Sequence, residues 1–370
     1  MDFSFTEEQD EIRALSRRIL EDQMTEERLR ELNTSVDFFD RRAWSELAKA
    51  NLLGVALPSD VGGSGLGIIE LCLLLEQVGR TVAPVPVWPS IALGALAVAE
   101  FGSPSQRQRL LPGVVEGTTI LTAALVEPVP HADPARPATR ATRDGDAWLL
   151  TGVKTCVPAA HLAQVMLVPA AVDGDVAVFL VDPGAAGVRL TRQQTTNRDP
   201  EGHIEFDNVR VGPDDVLSGE SIVPWMMDRA TLGLCAIQLG VTAKALEMTA
   251  EYTKTRVQFD RPIATFQAVG QRAADAYINV EGIRLTLWQA AWRLSEGLPA
   301  RTEIEVAKYW ASEGGHSVLH AAQHLHGGIG VDVDYPLHRY FLWGKKIEFT
   351  LGGAIQQLRR IGAALATEPV

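Results

Sequence analysis

Glu251-Tyr252-Thr253-Lys254-Thr255-Arg256-Val257-Gln258-Phe259-Asp260-Arg261-Pro262-Ile263-Ala264-Thr265-Phe266-Gln267 combines charge, aromatic rings and a proline where a plain helical bundle needs none of them. A helix is expected to end near Arg256, the chain to turn at Pro262, and a new helix to start near Gln267. Arg256, Gln258 and Phe259 then stand at a helix–helix corner. A second segment, His324-Leu325-His326-Gly327-Gly328-Ile329-Gly330, runs a helix into glycines that let backbone amides approach a ligand closely. An arginine fork and the N–H donors of a glycine turn together suit a pyrophosphate. Either segment alone also reads as a surface cap or a C-cap glycine; their occurrence in one chain favours the ligand.

Outward from these segments, helical periodicity holds from about Ile222 to the C-terminus. Leu232, Leu234, Ile237, Leu239 and Val241 open a helix running toward Tyr252, and a second, from near Gln267, carries Tyr277, Val280, Leu285, Trp288 and Trp292. A third spans about Thr302 to His324 and a last covers Gly353 to Ala364. Four long antiparallel helices make a bundle. Trp288, Trp292 and Trp310, at helical spacing, read as bundle core or subunit interface. Tyr335, His338 and Arg339 read as a structural turn rather than an acid–base cluster, and Lys345-Lys346 as a solvated helix start.

Between Thr119 and Ser218 the texture changes to short runs rich in Val, Leu, Ile and Thr, separated by Gly, Pro and Asp. Ile120–Val126, Ala147–Leu150, Val176–Val181 and His203–Phe206 are the clearest strands of this β-domain. Pro128 to Pro137 carries four prolines and must be an irregular loop. Upstream, helices are expected over Thr6–Leu32, Phe39–Ala50, Ile68–Val78, Val87–Phe101 and Ser105–Val115. The glycine-rich stretch from Pro58 to Gly67 matches neither a dinucleotide fingerprint nor a P-loop and reads as a helix-to-helix turn. The expected architecture is α+β and multidomain: an N-terminal α-helical domain over 1–118, a middle β-barrel or sandwich domain over 119–218, and a C-terminal four-helix bundle over 219–370.

Composition narrows the function. With 370 residues, 46% apolar and 22% charged, the chain is globular, and its net charge of −12 repels nucleic-acid phosphates and anionic lipid. Neither a nucleic-acid nor a membrane partner is expected. Three cysteines, Cys72, Cys156 and Cys235, in no CxxC spacing, give neither a disulfide framework nor a metal site. The start at Met1 lacks the pattern of a signal peptide, so a cytoplasmic protein is expected.

Arg256-x-x-Phe259-x-x-Pro262-Ile263, Phe266-Gln267 and His326-Gly327-Gly328-Ile329-Gly330 resemble the C-terminal signatures of the acyl-CoA dehydrogenases. Pro58-x-x-x-Gly62-Gly63 and Glu127-Pro128 are similar to that family's N-terminal and middle-domain markers, and the helical–β–helical order agrees over essentially the whole chain. The resemblance implies a flavoprotein that removes an α-proton from an acyl-CoA thioester while the β-hydrogen passes as hydride to flavin. It also implies that Arg256, Gln258, Phe259, Gln267, His324, Gly327 and Gly328 contact an FAD held mainly by a neighbouring subunit. His324 stands where the family usually has Gln; it either bonds the cofactor or simply ends a helix. An electron-transfer flavoprotein is the implied acceptor.

That chemistry needs a carboxylate base, donors on the thioester oxygen, and a dry slot for the flavin face. The family's usual Glu falls on Gly352, within Thr350-Leu351-Gly352-Gly353-Ala354-Ile355-Gln356-Gln357, and the alternative position on the first bundle helix falls on Ala230. Neither can take a proton. Asp228 is the candidate substitute, but a two-residue offset turns a helical side chain by roughly 200°. In the family the matching Asp belongs to an Asp-x-x-Arg pattern that holds CoA, and the Arg is Thr231 here. In Lys154-Thr155-Cys156-Val157-Pro158, Cys156 replaces the family's flavin-stacking Trp and Pro158 its hydroxyl. Cys156 reads as a small packing residue, with a redox thiol as the alternative.

Loss of base, aromatic wall and hydroxyl together is similar to the non-catalytic-type subunits of bacterial α2β2 acyl-CoA dehydrogenases that oxidise CoA-linked sterol side chains. Gln267-Ala268-Val269-Gly270-Gln271, Tyr335-Pro336-x-His338-Arg339-Tyr340 and Leu351-Gly352-Gly353 carry that closer likeness. It implies a homologous partner chain that supplies the catalytic Glu. A self-sufficient homotetramer using Asp228, and a catalytically dead scaffold, are the alternatives.

Overall fold

The structure, a computed structural model, describes residues 4–129 and 132–367. Expectations for Met1–Phe3, and for Pro130 and His131 within the proline-rich loop, lie outside the described residues.

Helix α1 (Glu7–Gln23) begins at a capping box in which Thr6 Oγ1 accepts from Gln9 N–H and the Gln9 amide oxygen accepts from Thr6 N–H. The sequence reads one helix on to Leu32, but the chain stops at Met24, whose N–H returns to Leu20 O. Thr25 Oγ1 then accepts from Arg28 N–H to open α2 (Glu26–Thr34). One capping hydroxyl outweighs unbroken periodicity here. Next come α3 (Arg41–Lys49), capped by Asp40, and the largely buried α4 (Ile68–Thr81). A π-helical stretch, Trp88–Ala95, with Pro89 at its start, leads into α5 (Leu96–Phe101), and α6 (Pro104–Val115) follows.

Eight strands make the middle sheet: β1 (Leu121–Ala123), β2 (Arg140–Asp144), β3 (Ala147–Pro158), β4 (Val165–Val172), β5 (Asp175–Val181), β6 (Val188–Gln194), β7 (Pro200–Val211) and β8 (Val216–Leu217). Their order is β6-β7-β3-β2-β4-β5-β8, with β1 parallel to β4. The sheet packs on Leu150, Val157, Met166, Val168, Phe179, Ile204 and Phe206, all buried. The β3–β7 register shifts between Leu150 and Gly152 and again between Lys154 and Val157, so β3 bulges beside Cys156.

The C-terminal part comprises α7 (Ile222–Thr255), the hairpin β9 (Val257–Gln258) and β10 (Arg261–Pro262), then α8 (Gln267–Ser295), α9 (Arg301–His326), α10 (Leu337–Phe349) and α11 (Ala354–Thr367). The sequence reading starts a helix at Lys345-Lys346, but α10 begins at Leu337. Its buried Leu337, Tyr340, Trp343, Gly344 and Ile347 keep helical spacing. Lys345-Lys346 lies inside that helix rather than at its start, and Lys345 Nζ pairs with Glu348 Oε2 at 2.6 Å.

The described residues form two compact units. One takes the chain up to Arg30, Ile68–Ala83, and the chain from Thr231 onward; in it α1 lies on α4, α4 on α8, and α9 against α8, α10 and α11. The other takes Glu31–Gly67 and Pro84–Ala230, with β1 against the π-helical stretch and α5 on α6. Among the described residues no helix is long and apolar enough to cross a membrane.

Candidate cofactor site

Where the sequence suggests a turn at Pro262, the chain makes a hairpin. Gln258 pairs with Arg261 and Val257 with Pro262, leaving Phe259 and Asp260 as the two turn residues, at φ 52° and 62°. Two positive-φ residues give the primed turn whose twist matches its strands. Asn-Gly or Asp-Gly would have announced it; Phe259-Asp260 does not. A bulky ring at positive φ is an outlier, and Phe259 is also 87% exposed. Its ring meets Phe266 edge-on at 6.2 Å, and Arg261 lies 4.1 Å over the Phe266 ring.

Three rings tie the end of α7 to the end of α9. Arg256 N–H bonds to Tyr252 O at 2.8 Å, so Tyr252 sits one turn before the arginine. The Tyr252 ring stacks on His326 with centroids 4.3 Å apart, and Tyr252 Oη donates to His326 O at 3.3 Å. His326 Nδ1 is 2.8 Å from Ala322 O, an acceptor only, so Nδ1 carries the proton and Nε2 accepts from Tyr335 Oη at 3.2 Å. Burial holds the His326 imidazole below its ordinary value and pushes the Tyr335 phenol up. Gly327 follows at φ 66°, and a Cβ on it or on Gly328 would meet nothing within 4 Å. His324, one turn earlier, has Nδ1 2.6 Å from Arg272 Nη1.

Through these contacts Arg256, His324, Gly327 and Gly328 gather at one end of the helices; Gln258 and Phe259 occupy the adjoining hairpin, and Gln267 opens α8. All seven are exposed. An open glycine turn beside an arginine and a bare aromatic ring fits the pyrophosphate of a dinucleotide. Sequence reasoning gives no site role to Tyr252 or Arg272, whose partners His326 and His324 lie far along the chain, and reads Tyr335, which bonds His326 nine residues away, as part of a structural turn.

The base positions are different in kind. Gly352 has φ 105°, and a Cβ there would lie 2.6 Å from Gln356 Oε1 and 3.0 Å from Gln357 Nε2. Gln357 Nε2 also donates to Gly352 O at 3.1 Å. The preceding helix end is fixed: buried Lys308 on α9 donates from Nζ to Ile347 O (2.7 Å), Glu348 O (3.2 Å) and Ser312 Oγ (3.0 Å). Burial lowers the Lys308 pKa to about 8. Ala230 is fully buried, and its carbonyl accepts from Trp88 Nε1 at 2.9 Å. Asp228 is half-buried; next to it Arg229 lies 3.6 Å over the Trp225 ring, its pKa lowered to about 10 by burial.

In the β-domain, Glu127 anchors the proline-rich loop. It accepts from Lys154 Nζ (2.8 Å), Thr139 Oγ1 (2.7 Å), Thr139 N–H (2.9 Å) and Ala138 N–H (2.6 Å). Burial raises the carboxyl pKa, but the Lys154 and Thr139 hydrogen bonds prevail and hold it below the usual value. Burial likewise lowers Lys154. Cys156, exposed at φ 51° on the bulge, donates its N–H to Gln193 Oε1 at 3.0 Å, and Pro158 O accepts from Thr122 Oγ1 at 2.6 Å.

Family models match the chain in three consecutive pieces: acyl-CoA dehydrogenase N-terminal domain over 6–118, middle domain over 122–209 and C-terminal domain over 218–366. The chain belongs to the acyl-CoA dehydrogenase family. Acyl-CoA dehydrogenase FadE27 of Mycobacterium tuberculosis is 43% identical, covering 100% of both chains. Among solved structures, a variant of the Tcur3481-Tcur3483 steroid ACAD is similar at TM-score 0.93 and 49% identity, covering 98% of each chain. The ChsE4-ChsE5 complex from Mycobacterium tuberculosis is similar at TM-score 0.95 and 44% identity, covering 100% of each. The α+β architecture of N-terminal helices, middle sheet and C-terminal helices is therefore the three-domain acyl-CoA dehydrogenase fold. Within this acyl-CoA dehydrogenase, Glu127 of the Glu-Pro marker has a structural task, since its carboxylate is committed to Lys154 and the loop.

Proposed function

We propose that this acyl-CoA dehydrogenase chain is the flavin-lending subunit of an α2β2 complex. Arg256, Gln258, Phe259, Gln267, His324, Gly327 and Gly328 hold the pyrophosphate side of an FAD seated in a homologous partner, and that partner supplies the catalytic Glu. The observation that carries this reading is Gly352: the usual base position has no carboxylate, and its left-handed φ with two glutamine side chains against any Cβ disfavours one. FAD, when bound, would supply the hydride acceptor for the β-hydrogen, and the partner's Glu would supply the base for the α-proton. This chain binds and orients: the guanidinium of Arg256 neutralises phosphate charge, and the Tyr252–His326 stack fixes the glycine turn beside it.

The substrate class proposed is a bulky steroid-type acyl-CoA, supported by similarity to the steroid ACAD named above. Electrons leave through an electron-transfer flavoprotein, the site of action is the cytoplasm, and the domains are 1–118, 119–218 and 219–370. Co-expression with a homologous acyl-CoA dehydrogenase chain, followed by flavin counting, tests the proposal: two FAD per four chains and turnover only in the complex are expected. A yellow isolated chain that bleaches with acyl-CoA would establish the Asp228 homotetramer instead, and absence of turnover with any partner would establish a scaffold.

A further inference from the structure

We propose that Arg272, on the second turn of α8, is a positioning residue for the cofactor that acts through His324; the inference rests on the flavin-lending reading. Arg272 Nη1 lies 2.6 Å from His324 Nδ1. A guanidinium has donors only and stays protonated, so this contact requires a lone pair on Nδ1 and puts the proton of the neutral ring on Nε2. His324 thereby offers one N–H donor on the side of the ring opposite Arg272. Without that partner the imidazole divides between two tautomers, one of which turns a lone pair toward a phosphate or carbonyl oxygen. Arg272 removes the second form.

The placement gives this choice a consequence. Gly327 N–H bonds back to His324 O, so the imidazole and the open Gly327-Gly328 turn ride on the same last turn of α9. Both are exposed, as is Arg272. A ring locked as an outward donor adds a second, directed hydrogen bond to a surface whose remaining donors are backbone amides and Arg256.

A glutamine at position 324 presents an N–H donor with no tautomer to select, which makes the test specific. In the co-expressed complex, FAD release after dilution is followed by the flavin absorbance that stays with the protein after timed desalting. Arg272→Met is expected to speed release by about tenfold, the scale of one hydrogen bond to a charged group. In the His324→Gln background the same substitution is expected to change release by less than about twofold. Arg272→Lys, which keeps a donor, retains slow release and separates the effect from misfolding. Equal acceleration in both backgrounds, or none in either, overturns the inference. Arg256→Ala distinguishes the layers: if it releases flavin while Arg272→Met does not, only the role of Arg272 falls, whereas unchanged retention in Arg256→Ala overturns the flavin-lending reading itself.

Discussion

Gly352 has a left-handed φ of 105°, and the Gln356 and Gln357 side chains crowd the place a Cβ would take. Gly352→Glu should therefore leave the isolated chain without turnover and lower its stability by about 1–3 kcal/mol through backbone strain. Steady-state assays with acyl-CoA and urea unfolding check both halves, and turnover by the variant alone would contradict the first. At Glu127 the Glu-Pro pair reads as a middle-domain marker, and the structure uses the carboxylate to hold a loop. Its carboxyl is depressed in the folded protein, so its stabilising contribution is present above the ordinary carboxylate value of 4.5 and is lost as pH falls through the folded value. Glu127→Gln should unfold at lower temperature near neutrality by an amount matching about 3–5 kcal/mol, because Lys154 is left buried without its charge partner. That gap should narrow on acidification, and scanning calorimetry from neutral to acid pH measures it.

Elements were readable where one face is buried and misread where a cap or a turn decides. The periodicity of α7, α8 and α9 carries its own signal, whereas Thr25 splits the first helix with a single hydroxyl, and the hairpin at Phe259-Asp260 has none of the usual turn residues. Helix α11 poses a different problem. Of its residues only Gln357 is buried, while Ile355 is 76% exposed and Leu358 and Leu365 are exposed with it. An amphipathic helix that leaves its apolar residues in water within its own chain is suited to a protein partner. Ile355→Glu should change the stability of the isolated chain by no more than about 0.5 kcal/mol, as surface substitutions do. The same change should prevent co-purification with the homologous partner. Size-exclusion chromatography of the co-expressed pair reads the outcome, and an intact complex would place the assembly surface elsewhere.

For the molecule as a whole, the family and its three-part order could be read in advance because they rest on glycine, proline and periodicity, which act locally. The cofactor surface was only half legible. Its seven residues are exposed in this chain, and on the proposed reading the residues that complete them come from a partner chain. That incompleteness has a thermodynamic signature. A ligand that binds only an assembled state stabilises that state by RT ln(1 + [L]/Kd), about 2.7 kcal/mol when the ligand stands at a hundred times its Kd. Adding FAD should therefore raise the unfolding temperature of the co-expressed complex and leave that of the isolated chain where it was. On the proposed reading Arg256→Ala should shrink the rise in the complex, because Arg256, exposed in this chain, would serve the cofactor rather than the isolated fold. If FAD raises the unfolding temperature of the isolated chain as much as that of the complex, the chain binds dinucleotide unaided, and its exposed arginine, ring and glycine turn serve identical copies rather than a partner.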